Sequence, residues 1–204
     1  MSSIAALSRT PAVFSLSAML VHRFTVAQYH RMIATGVFTA NDRVELLEGW
    51  IVDKMPQHPV HAGTISILLA KLQAKLSKEW IVRVQSPITL EDSEPEPDLA
   101  IVSGSEERYL TAHPKPEDIA FVVEVADSSV EHDRIVKART YARARLPICW
   151  IVNLVEQQVE IYTQPRAGKT PTYRQRANFG VEYGVPIVVA GREVGRLPVR
   201  QFIS

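Results

Sequence analysis

Three side chains in this sequence carry more chemistry than packing requires: Asp98, Glu124 and Lys137. Asp98 follows Pro97 and opens directly into the apolar run LAIV. Glu124 sits inside FVVEV, with valines on either side. A carboxylate inside a buried strand loses hydration at a cost of several kcal/mol unless a cation or hydrogen-bond donors offset it. One outlet is structural, with Glu124 paired to a nearby arginine that holds helix to sheet. The other is a site. Two carboxylates on neighbouring strand ends make a hard-oxygen pair suited to Mg²⁺, with Mn²⁺ as a substitute. Such an ion activates water and neutralises charge on a phosphate under attack. An ammonium nearby would stabilise the same anionic transition state. Asp, Glu and Lys are thus a minimal set for metal-dependent phosphodiester cleavage.

The elements that must gather these residues follow from periodicity. Thr25, with Gln28 three residues on, makes a capping box for a first helix that Gly36 stops; Val26, Tyr29 and Ile33 share one of its faces. RVELLEGWIVDK reads as two short strands turning at Glu48-Gly49. Ile65, Leu68, Leu69, Leu72 and Leu76 form the stripe of a second helix, with Lys71, Lys75 and Lys78 largely off it. Strands are expected over residues 81–90, 97–102, 119–125, 148–154 and 159–163. Those at 97–102 and 119–125 are apolar on both faces, as central strands are. A basic helix over 129–145 stops before Pro147, and weaker strand signals, TYRQR and VPIVV, follow.

The whole is one α/β domain, a mixed central β-sheet flanked by helices, over residues 23–204. Residues 1–22 read as an extension; organised sequence begins just after Met19, a candidate second start. At 204 residues, 46 % hydrophobic and 22 % charged, the chain is of globular type, and no eighteen-residue apolar run could span a membrane. Cys149, the single cysteine, cannot form an internal disulfide, which points to a reducing, cytoplasmic setting. Charge is unevenly spread. Residues 1–90 hold nine Lys/Arg and five Asp/Glu, 91–133 hold two and thirteen, and 134–204 hold twelve and four, for a net +1. An acidic block before a basic one is either solvated loop charge or an acidic metal site set in a surface that faces a polyanion.

In order along the chain stand RVELLEGWIVDKMP, HPVHAG leading into the leucine helix, EPDLAIV, VVEVADSS, DRIVKARTYARARLPICWIVN and VEIY. PDLAIV followed by FVVEV resembles the PD-(D/E)XK nuclease superfamily. As a series, residues 24–163 resemble its Uma-type, restriction-endonuclease-like family. The resemblance implies a restriction-endonuclease-like fold and a Mg²⁺-dependent endonuclease acting on DNA. It makes Asp98 and Glu124 the first and second metal-ligand acids and Glu45 an additional acid from the hairpin. The superfamily's usual lysine lies two residues after the second acid, where this chain has Ala126. In the Uma-type family the lysine comes from the following helix, and Lys137 matches it. Asp133, Lys137 and Tyr141 repeat at i, i+4, i+8, so one helical face can aim all three at the sheet edge.

His61 also matches a family position and is a candidate for active-site hydrogen bonding or for capping the helix. His58 and His61 lack a third nitrogen or sulfur ligand for zinc. His22, His30, His113 and His132 read as surface. Cys149, Trp50, Trp80 and Trp150 read as core, the tryptophans alternatively as subunit contact. The basic helix offers Arg134, Arg139 and Arg143 for sequence-independent phosphate contacts. A homodimer would suit cutting both strands, although no segment fixes an interface. Two further readings stay open: a non-catalytic derivative that binds nucleic acid or a partner protein, favoured by Ala126, and a hydrolase of another phosphate ester.

Overall fold

A computed structural model describes residues 21–39 and 41–203. The expected extension over residues 1–22 lies outside these but for its last two. Six strands form the central sheet in the order β3-β4-β5-β6-β7-β8. They are β3 (Trp80–Val84), β4 (Leu99–Ser103), β5 (Ile119–Ala126), β6 (Ile148–Asn153), β7 (Gln158–Arg166) and β8 (Thr172–Gly180). Only β5 and β6 run parallel; every other neighbouring pair is antiparallel. A parallel pair needs a crossover, and the basic helix supplies it.

Alternation along the strands sorts the core into two layers. Phe121, Val123 and Val125 of β5 join Leu99, Ile101, Trp150 and Val152 on one face. That face is covered by α2 (Pro59–Gln73) through Ile65, Leu68 and Leu72, and by the hairpin of β9 (Gly184–Val189) and β10 (Arg192–Pro198). Val122 and Ala126 face the other way, with Ala100, Val102, Cys149 and Ile151, under Ala138, Tyr141 and Ala142 of the crossover helix. Trp150 stacks on Phe121 with ring centroids 4.8 Å apart.

The crossover is not one regular helix. It runs as α3 (Val130–His132), a π-helical turn at Asp133–Lys137 and α4 (Ala138–Arg143). A π turn widens the helix by one residue and recurs at functional sites. Asp133, Lys137 and Tyr141 all remain buried despite the altered phase.

Other elements depart from expectation at their edges. The strand expected over 81–90 stops at Val84, because Gln85 takes a left-handed φ of 43° and Pro87 cannot donate to a ladder. In α1 (Val26–Ala34) the capping box of Thr25 and Gln28 is present, but only Tyr29 is buried and Ile33 is 46 % exposed, since the helix meets the first hairpin through Tyr29. That hairpin pairs β1 (Val44–Leu47) with β2 (Trp50–Asp53). Glu48 and Gly49 both take positive φ, 48° and 80°, as a type I′ turn requires. A Cβ at Gly49 would stand 2.7 Å from the Cβ of Arg23, so only glycine fits. Strand β10 is rich in charge and gave no strand signal; it forms through pairing with β9.

Candidate active site

Strand register brings the two acids together. Leu99 pairs with Val123 and Ala100 with Val122, so Asp98, one step before β4, falls beside Glu124. The amide of Val125 donates to Asp98 Oδ2 at 2.8 Å, and the amide of Asp98 to Glu124 Oε2 at 3.4 Å. Period 2 turns Glu124 toward the crossover helix, between Val122 and Ala126. There the hydroxyl of Tyr141 donates to Glu124 Oε1, and Lys137 Nζ lies 3.6 Å from the same oxygen. The first hairpin closes the set: Lys137 Nζ is 2.7 Å from Glu45 Oε2, which also accepts the amide of Glu96 at 3.0 Å. Ala126 is fully buried, and the ammonium beside these carboxylates comes from the crossover helix.

Two further donors fix Asp98. His61 Nε2, from the first turn of α2, stands 3.1 Å from Oδ2, and Gln85 Nε2 stands 3.1 Å from Oδ1. Glu45, His61, Gln85, Asp98, Glu124, Asp133 and Lys137 all line one cleft of about 130 Å³. Tyr141 lies beneath it.

The electrostatics are those of carboxylates in excess. Burial pushes the Glu124 carboxyl up to about 8, with Asp98 and Asp133 adding to the rise and Lys137 and Tyr141 opposing it. Burial likewise lifts Asp133 to about 6, against its hydrogen bond from Ser129. Burial alone would weaken the Lys137 ammonium, but Glu124 and Glu45 outweigh it and hold the proton more firmly than in an ordinary lysine. Lys137 is therefore a fixed cation rather than a base. The charge left uncompensated by one ammonium is what a divalent cation would neutralise, and oxygen donors suit such an ion. Among the described residues no three His, Cys, Asp or Glu side chains already converge on one ion position; Lys137 stands between Glu45 and Glu124.

A family model described as "Uma2: Putative restriction endonuclease" matches residues 26–191, most of the chain. The chain belongs to the Uma2 family. Its fold matches a crystal structure described as "a putative nuclease belonging to DUF820" from Anabaena variabilis ATCC 29413, with a TM-score of 0.63 over 88 % of this chain and 97 % of that one. At 13 % identity that likeness concerns the fold alone. No curated relative matches the sequence.

The Uma2 chain does not gather every residue expected at the site. Arg134 binds both oxygens of Glu160 through Nε at 3.1 Å, and also Glu131 at 3.1 Å and Glu156 at 3.0 Å. Glu160 is a fully buried carboxylate of β7, further held by Asn153, Tyr162 and Arg176. That cluster is structural: it realises, at Glu160, the arginine pair that Glu124 does not make. Arg139 pairs with Glu48 at 2.8 Å and Arg143 with Asp92 at 2.9 Å, both outside the cleft. His58 Nδ1 lies 2.6 Å from Asp127, whereas His61 turns to Asp98. His30 and His113, read as surface, lie 2.6 and 3.8 Å from the buried Glu94. His132 lines the cleft.

Sequence reasoning missed Gln85, Arg43 and Asp127, all in the cleft lining. Asp127 follows the VVEVA stretch and had a signal in its sequence position. Gln85 and Arg43 had none, because their places depend on strand register. Arg43 is the cleft's lysine or arginine without a carboxylate partner among the described residues; Lys54 is taken by Glu96 and Lys137 by Glu45.

Proposed function

We propose that this Uma2 chain is a divalent-metal-dependent endonuclease that hydrolyses DNA phosphodiester bonds. The observation that carries the reading is Lys137 Nζ at 2.7 Å from Glu45 and 3.6 Å from Glu124, within a cleft that also holds Asp98. An acid pair with an ammonium delivered by the crossover helix keeps the nuclease kit complete although Ala126 lacks one part of it. Glu45, Asp98 and Glu124 are the residues that would hold the ion, which when bound supplies water activation and charge neutralisation on the phosphate. Lys137, protonated throughout the working range, stabilises negative charge developing on the phosphate. Tyr141 and Asp133 fix the orientation of Glu124 and of the helix. His61 aligns Asp98. Cutting both strands of a duplex calls for two such sites, so a homodimer belongs to the same proposal.

The test is nicking of supercoiled DNA with Mg²⁺ or Mn²⁺, run on wild type, Asp98→Ala and Lys137→Ala. Metal-dependent nicking that disappears in both variants is expected. The second reading, a DNA- or partner-binding derivative without catalysis, is favoured by one observation: Glu45, Asp98 and Glu124 all already accept hydrogen bonds from protein donors. Salt-sensitive DNA binding with no cleavage under either metal would select it.

A further inference from the structure

Gln85 sits where β3 leaves the sheet, one residue past Val84, and its backbone is left-handed at a φ of 43°. Glycine, asparagine and aspartate tolerate that conformation; a long unbranched side chain gains nothing from it. Glu48, Arg145, Gln157 and Gln164 take it as well, so the contacts of Gln85 rather than its φ set it apart. The amide of Gln85 donates to the carbonyl of Asp98 at 3.1 Å, and its side-chain Nε2 donates to Asp98 Oδ1, also at 3.1 Å. With His61 and the amide of Val125 on Oδ2, both oxygens of Asp98 are held by protein donors. The turn accounts for the backbone of Gln85; what it does not require is a side-chain donor set on Asp98 at the lining of the cleft.

We infer that Gln85 is a positioning residue, which holds the Asp98 carboxylate in the orientation that receives the divalent ion. This rests on the nuclease reading above. Donors that orient a ligand from behind are worth about 10–100-fold in metal affinity in comparable sites. A turn residue of purely structural value would behave differently, because glycine at a left-handed position relieves strain instead of adding it.

Two variants separate the roles. Gln85→Gly removes both the strain and the donor; Gln85→Met keeps the shape and the strain but removes the donor. Mn²⁺ affinity is measured by calorimetry on the intact chain, beside the melting temperature of metal-free protein. The expected result is a loss of about tenfold or more in Mn²⁺ affinity in both variants, with Gln85→Gly melting no lower than wild type. Wild-type Mn²⁺ affinity in Gln85→Gly overturns the inference, and so does a drop in its melting temperature with affinity unchanged. Wild type that binds neither Mn²⁺ nor DNA overturns the nuclease reading itself, and this inference with it. Wild type that binds Mn²⁺ while the variants match it overturns the inference alone.

Discussion

Two buried carboxylates two strands apart meet opposite fates. Glu160 is ringed by donors. Burial works against its charge, but Arg134, Tyr162 and Asn153 more than offset this and hold its carboxyl below the ordinary value of 4.5. A depressed carboxyl contributes stability above its unfolded value, and that contribution is lost as pH falls through the folded value. Glu160→Gln is therefore expected to lower stability at pH 7 by about 3 kcal/mol. The gap to wild type should narrow in thermal melts taken below 4.5. Glu124 stands instead among carboxylates served by one ammonium. Glu124→Gln, neutral like the raised carboxyl near pH 7 and still an acceptor for Tyr141, should leave metal-free protein melting no lower than wild type while abolishing Mn²⁺ binding. A marked loss of stability in this variant would make Glu124 a structural ion-pair partner.

At the scale of elements, the site is a junction of five pieces: the β1–β2 hairpin, the start of α2, the end of β3, the β4–β5 pair and the crossover helix. The hairpin's contribution depends on its turn. Gly49 has a φ of 80°, and an added Cβ would meet Arg23 at 2.7 Å. Gly49→Ala is expected to destabilise by about 1–3 kcal/mol through strain and overpacking. It should also weaken Mn²⁺ binding, because Glu45 loses its fixed approach; unchanged binding at a lowered melting temperature would detach the hairpin from the site. The crossover helix was legible as a basic, amphipathic segment. Its π turn was not, since no residue in DRIVK signals an extra residue per turn.

Across the whole molecule, most basic side chains of the crossover helix are committed to carboxylates: Arg134 to Glu160, Arg139 to Glu48 and Arg143 to Asp92. Much of the acidic-then-basic charge pattern is thus internal pairing. Arg43, exposed at the cleft without such a partner, is the better candidate for a substrate phosphate. Arg43→Gln should reduce the slope of log K for DNA against log salt by about 0.9, the value of one phosphate contact on a duplex, without lowering the melting temperature. Arg134→Gln should do the reverse. Equal slopes in wild type and Arg43→Gln would remove Arg43 from the interface. Among the described residues no helix is long and apolar enough to cross a membrane.

The sequence by itself determined the α/β architecture, the central strands and the acidic residues that packing could not explain, because hydrophobic period and isolated burial of charge are local properties. It also carried the series of motifs that identifies the family. Only the tertiary structure decided which charges meet. Whether Lys137 meets Glu45 and Glu124, whether Arg134 meets Glu160, and whether Gln85 touches Asp98 all depend on register and on contacts between residues up to 92 positions apart. No local pattern encodes those distances; they arise when strands pair and the helix settles across them.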